Sequence, residues 1–288
     1  MAASKKFIMV SGADESVAGA TVWWRLLGDV DRQKLLDALT ARGFGPERCP
    51  DPVEPETALR RAVGELRGKR RLVRPIKRGV WAVVDESVDL SAEELKHYEG
   101  PKVRLDKIGR AELENATPDE AELVKRSYGR YLDALTTEDV ASWLIHQAQR
   151  LGAVSLREHG GIYYLPPSRW PEWSGITDAL QSAHPRHACY SMPTFKLSAG
   201  GARAILDSLT AEVEADVDAI QDDVLSGDLG VRALETRGEK GRLLLAKVEE
   251  YEALVGERLE KLRAAVAQVQ VDVAAAKLAA EAAREDAP

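Results

Sequence analysis

The sequence predicts an α+β fold: a small mixed domain with antiparallel sheet hairpins, followed by a long C-terminal antiparallel helical hairpin of coiled-coil type. Three observations predict it. Through residues 1–198, short β-like runs are joined by tight turns, which favours local antiparallel pairing. From Gly200 to Leu225, Leu206, Leu209, Val213, Val217, Ile220 and Val224 recur at steps of three and four, the mark of one apolar helical face. After the turn Ser226-Gly227-Asp228-Leu229-Gly230, a second arm carries Gly241, Leu244, Val248, Tyr251, Val255, Leu259, Leu262, Val266, Val269, Val273, Ala276, Ala280 and Ala283. That is an a/d pattern with a single four-four step at Val255 to Leu259. The expected domains are a mixed body over 1–198, with a division into 1–110 and 111–198 as a variant, and a helical hairpin over 199–288.

Taken in order, Lys6–Ser11 and Thr21–Leu27 read as strands, and Asp31–Arg42 as an amphipathic helix on Leu35, Leu36 and Leu39, stopped at Gly43. The proline-rich run 45–55 is a loop. Glu56–Arg67 is a second helix, with Leu59, Ala62, Val63 and Leu66 on one face. Leu72-Val73 and Val80–Asp85 form a hairpin through Lys77-Arg78-Gly79, and Val103–Ile108 alternates like a half-buried strand. Thr117-Pro118-Asp119-Glu120 is a capping box that starts a helix running to about Leu135. Thr136–Leu151 is another helix. Ala153–Arg157 and Ile162–Leu165 make a hairpin, Pro166–Trp173 an aromatic-proline loop, Ile176–Ala183 a short helix, and His187–Phe195 a last strand. There is no internal repeat.

Composition bounds the function. At 288 residues, 44% hydrophobic and 30% charged, the chain is ordinary globular protein. Two distant cysteines, Cys49 and Cys189, form no disulfide framework, and no apolar run reaches the roughly 18 residues of a membrane span. A soluble, cytoplasmic protein without a membrane partner is expected. The formal net charge of −7 conceals local asymmetry.

Between Arg60 and Arg78 stand nine cations and one acid, Glu65. Such density suits phosphate neutralisation, and the candidate nucleic-acid contacts are Arg67, Lys69, Arg70, Arg71, Arg74, Lys77 and Arg78. The plainer alternative is a basic edge hairpin that discourages strand aggregation. The helix at 137–151 followed by the 153–166 hairpin matches the end of a winged helix. Its only base or phosphate readers, however, are His146, Gln147, Gln149 and Arg150, with Arg157 and His159 in the wing, and its first turn holds Glu138 and Asp139. The run of acids over 207–228 is a solvated face or a dock for a basic partner.

The second helical arm measures about 80 Å against about 40 Å for the first. Its excess stripe, Leu259, Leu262, Val266, Val269 and Val273, must pair either with another copy or with the chain itself. His184, His187 and Cys189 form His-x-x-His-x-Cys without a fourth ligand nearby, so no metal and no cofactor are expected. No phosphate loop, nucleophile elbow or zinc-protease motif is present, so the chain reads as a non-enzyme. The leading expectation is an interaction or scaffold protein, self-associating or docking through the hairpin. The alternative is a nucleic-acid-binding accessory protein that uses the basic stretch.

Overall fold

The computed structural model describes residues 17–89, 94–157 and 161–285. The fold is α+β with antiparallel sheets and a helical C-terminal region, as the sequence predicts. The expected strand Lys6–Ser11 lies outside the described residues, as do Glu158, His159 and Gly160 of the expected hairpin.

The chain divides into two compact units, each built from separate stretches. Residues 17–24, Ile145–Ser174 and those from Cys189 onward form the first, and Arg25–Leu144 with Gly175–Ala188 form the second. A boundary at residue 198 therefore does not separate the units, because the C-terminal helices share theirs with strands from distant parts of the chain.

In the first unit a four-stranded sheet has the order β10-β1-β9-β8, from β1 (Gly19–Arg25), β8 (Val154–Ser155), β9 (Ile162–Leu165) and β10 (Ala188–Thr194). Thr21 opposes Tyr164, and Val154 opposes Tyr164 from the other side. The helices α6 (Ala199–Leu225), α7 (Val231–Val255) and α8 (Glu260–Glu285) follow. Ser198 caps α6 by accepting the Gly201 N–H at 3.1 Å. The α6 seam is Ile205, Leu209, Val213, Val217 and Ile220, so Ile205 rather than Leu206 begins it.

The second arm is not one rod. At Gly256 the chain enters the left-handed region with φ 71°, and its N–H closes on Glu252 O at 2.9 Å, a glycine C-cap that ends α7. Glu252 also accepts the Leu259 N–H at 2.6 Å, and Arg263 pairs with Glu252 and Glu249 at 3.1 and 3.0 Å. These bonds brace the reversal into α8, which packs back on α7 and α6. Gly241 lets α7 and α8 approach closely: a Cβ there would lie 3.2 Å from Gln270 Cγ. The stripe expected to drive oligomerisation is thus consumed within the chain. Leu262, Val266, Val269 and Val273 are buried in one core with Leu209, Val213, Val248 and Tyr251, and Leu259 packs against it. This corrects their assignment as an oligomerisation surface.

Polar bonds fix the same arrangement. Tyr251, fully buried, reaches Gly152 O at 3.0 Å and Tyr164 O at 3.2 Å. Burial, with Tyr164, Glu212 and Glu250 nearby, pushes its phenol well above the ordinary value. One turn earlier, Lys247 donates to Ala153 O at 3.0 Å and to Glu212 at 2.9 Å.

In the second unit, sheet β3-β4-β5-β6 comprises β3 (Arg71–Lys77), β4 (Val80–Asp89), β5 (Glu94–Leu105) and β6 (Ala111–Glu114), all antiparallel. The helices α2 (Pro55–Gly64) and α3 (Pro118–Asp133) pack with it over Leu59, Val63, Val73, Trp81, Val83, Val103, Val124 and Tyr128. Trp81 is core, not a stacking platform. The Thr117/Glu120 capping box forms as the sequence predicts. A shorter helix, α1 (Arg32–Thr40), is capped by Asp31, and the two-residue strands β2 (Val30–Asp31) and β7 (Ala134–Leu135) pair. The helix α4 covers Thr137–Arg150; α5 covers Trp170–Ala183, starting earlier than the expected Ile176 because Pro171 suits a first helical turn.

Val266→Asp places an unpaired carboxylate at a fully buried site, and the expected cost is about 4 kcal/mol. Circular dichroism and thermal melting should show lost helicity and a lowered Tm. Unchanged melting accompanied by a change in mass would return the stripe to an intermolecular role.

Candidate nucleic-acid interface

The basic stretch spans the end of α2, the turn after it, and β3, an edge strand of its sheet. An edge strand tolerates Pro75, whose missing N–H would break an interior ladder. The cations divide into two groups. Arg61 is held at 2.8 and 2.6 Å by Asp139, which also accepts from Thr136. Arg71 bridges Asp85 at 3.2 Å and Glu120 at the start of α3. Both are structural links between elements. Arg71 was expected to face a ligand; it instead ties β3 to β4 and to the N-terminus of α3, which corrects that assignment.

Arg60, Arg67, Lys69, Arg70, Arg74 and Lys77 are all exposed, and none has a carboxylate partner among the described residues. Arg78 leans on Glu56 at 3.2 Å, but its side chain is 93% exposed, so this ion pair is solvated and weak. Arg74 and Lys77 lie on β3, and Arg67, Lys69 and Arg70 lead into it. Arg70 and Lys77 bracket a strand about 23 Å long at 3.3 Å per residue. Arg60, exposed on α2, is likewise without a carboxylate partner among the described residues; nothing in its sequence spacing separated it from the engaged Arg61.

The register of β3 shifts at its end. Pro75 opposes Trp81 and Lys77 opposes Val80, so Ile76 is an extra, unpaired residue, a β-bulge. Ile76 is 53% exposed amid the cations. The turn closes at Gly79, φ 71°, whose N–H is accepted by Glu56 at 3.2 Å.

The winged-helix elements exist as α4 and the β8–β9 pair, but their expected readers are divided. Gln147 is buried, and its Oε1 accepts from Arg150 at 3.0 Å; Arg150 also pairs with Glu172 at 2.7 Å. His146, Gln149 and Arg157 remain exposed.

Of the acids over 207–228, Glu212, Asp216 and Asp223 pair with Lys247, Lys240 and Arg237 of α7 at 2.9, 2.6 and 2.6 Å. Much of that run thus serves the helix pair itself. An open groove of about 450 Å³ lies between α7 and α8, and its acid Glu235 is bound by Lys277 at 2.8 Å.

His184 and His187 lie with ring centroids 4.5 Å apart. His187 is 2% exposed, and its Nδ1 accepts the Leu27 N–H at 3.0 Å. The proton of the neutral ring therefore sits on Nε2, which is then a donor and not a metal ligand. Among the described residues, no three His, Cys, Asp or Glu side chains converge to hold a metal ion. Cys49 is buried, Cys189 half-buried, and neither is in a disulfide. No described helix is long and apolar enough to cross a membrane.

Burial, helped by His184 and Arg186, pushes the His187 imidazole from 6.5 down to about 4. The unfolded chain then takes up a proton that the folded chain refuses between those values. Folding stability should fall by about 3 kcal/mol as pH drops from 6.5 to 4. Denaturant titrations across that range test this; His187→Gln should flatten the acid limb, and an equally steep limb in the variant would refute it.

No curated protein and no solved structure matches this chain. The sequence profile of a family of unknown function, DUF6744, matches residues 17–284, nearly the whole chain, and the chain belongs to that family.

Proposed function

We propose that this chain is a nucleic-acid-binding accessory protein, acting by binding rather than catalysis, through the basic edge of its second unit. The observation that carries the reading is a set of six exposed cations without carboxylate partners among the described residues: Arg60 on α2, Arg67, Lys69 and Arg70 in the segment leading into β3, and Arg74 and Lys77 on β3 itself, an edge strand. Cations already paired gain little from a phosphate, because a new contact must replace an old one. Unpaired cations gain the full release of condensed counterions. The reading puts the protein in the cytoplasm with its ligand, where Cys49 and Cys189 stay reduced.

Fluorescence anisotropy with a short labelled DNA duplex tests it. Log affinity should fall linearly with log salt, with a slope near −5 if about six phosphates are neutralised. Arg70→Glu with Arg74→Glu and Lys77→Glu should cut affinity at least tenfold and flatten the slope, with unchanged circular dichroism. Arg71→Ala should instead lower Tm and leave the slope unchanged, since it strands Asp85 and Glu120. Duplex binding indifferent to the triple charge reversal, or no binding at low salt, would overturn the reading.

A further inference from the structure

Two of the three C-terminal helices present charge to water. Asp207, Glu214 and Asp218 of α6 are exposed, as are Glu235, Glu239 and Arg242 of α7. The third, α8, does not follow them. Its inward stripe, Leu262, Val266, Val269 and Val273, is buried in the core, and its opposite side carries a second apolar stripe that faces water. We propose that this outward stripe pairs with the same stripe of a second copy of the chain, forming an antiparallel two-helix seam. The inference does not rest on the reading of the basic stretch, which belongs to the other unit.

Exposure and spacing define the stripe. Ala264, Val271 and Leu278 stand seven residues apart, Ala267 and Ala274 lie between them, and all five are exposed. Val271 is 61% and Leu278 68% exposed, so the face offers large aliphatic side chains as well as alanines. From Ala264 to Ala282, about 27 Å of helix, every exposed residue except Gln268 is alanine, valine or leucine. The charges of the same stretch are drawn aside. Asp272 accepts from Gln268 at 2.9 Å, and Lys277 reaches Glu235 of α7 at 2.8 Å. A helix apolar on two opposite sides is one covered on both, and the step of seven is that of a coiled-coil seam.

Charge and shape together select a second copy in antiparallel orientation. Glu281 continues the row of Ala267 and Ala274 at steps of seven. In a parallel pair each residue meets its own counterpart, so Glu281 would face the partner's Glu281 within the seam, and Leu278 would face the partner's Leu278 between layers of alanine. Antiparallel pairing removes both conflicts. With Val271 opposite the partner's Ala274, Leu278 falls opposite the partner's Ala267, so each large side chain meets a small one. Glu281 then falls opposite the partner's Ala264, one turn from the partner's Lys261. Lys261 is exposed and has no carboxylate partner among the described residues. The two-fold axis repeats this pair, placing one Lys–Glu contact at each end of the seam. A partner of different sequence would need a matching uncharged face with a cation at the right place; a second copy supplies both.

A single helix pair of this length buries less than the roughly 1,200 Å² of a standard interface, so the dimer is reversible, with a dissociation constant on the order of micromolar.

Sedimentation equilibrium of the full-length protein from about 1 to about 100 μM tests this. The mass should rise from 31.5 kDa toward twice that value. Val271→Glu with Leu278→Glu should weaken dimerisation about tenfold or more. Circular dichroism and melting of the monomer should not change, since both side chains already face water. Glu281→Lys should weaken the dimer about fivefold, and adding Lys261→Glu should restore it. Under mild oxidation, Ala267→Cys with Leu278→Cys should cross-link two copies, whereas Leu278→Cys alone and the wild type should not. A monomer at every concentration would overturn the proposal and leave the stripe to a helix of another protein. A dimer indifferent to Val271→Glu with Leu278→Glu would overturn it as well. Cross-linking by Leu278→Cys alone would overturn the antiparallel arrangement. The charge reversals at Arg70, Arg74 and Lys77 should leave the mass unchanged, so this proposal and the nucleic-acid reading fail separately.

Discussion

Two side chains on one face of α7 tie the first unit together. Lys247 and Tyr251, four residues apart, present an ammonium and a phenol in the same direction. Their targets are carbonyls at the end of α4 and the strands after it: Ala153 for Lys247, Gly152 and Tyr164 for Tyr251. These carbonyls lie just after α4 or on β9, and a buried carbonyl left without a donor costs free energy. α7 supplies those donors and so cannot slide or rotate against the β8–β9 hairpin without leaving buried polar groups unpaired. Glu212 completes the arrangement by pairing Lys247 from α6. Once α6 and α7 are fixed, the apolar seam they share has one remaining open side, and α8 closes it.

That closure explains why the second arm had to break. A continuous helix would carry Leu262, Val266, Val269 and Val273 beyond the end of α6 into water. Folding back at Gly256 buries all four instead. The gain of several buried aliphatic side chains outweighs the loss of a few helical hydrogen bonds at the reversal, especially as Glu252 and Arg263 replace some of them.

The seam was legible in the sequence because periodicity survives the reversal: the a/d pattern resumes at Leu259 as though the helix had continued. For the same reason, periodicity could not distinguish a stutter from a turn. The signal that could have done so was Gly256 just after Val255, a glycine at the position of a C-cap followed by charged residues. The division into units was not legible, since contiguous stretches such as Arg25–Leu144 are joined to their unit by residues far along the chain. In the basic stretch, composition revealed the density of charge but not its disposition. Arg61 finds Asp139 and Arg71 finds Glu120 only after folding. The bulge at Ile76 depends on how β3 registers with β4, which local spacing does not specify.

The overall charge of −7 does not decide contact with a polyanion, because such contacts are governed by the unsatisfied charges close to the phosphate. At physiological ionic strength, exposed charges are screened within about 8 Å. A phosphate at the β3 edge therefore senses Arg70, Arg74 and Lys77 far more than the mean charge of the chain. The acids that contribute most to that mean are partly spent already: Glu212, Asp216 and Asp223 face α7 cations in a zipper between neighbouring helices. Along β3, the carboxylates of Asp85, Glu56 and Glu120 are engaged with Arg71 or Arg78. The same pairing that removes Arg71 from the interface thus also removes the acids that would oppose a phosphate there, leaving the local field of the edge positive.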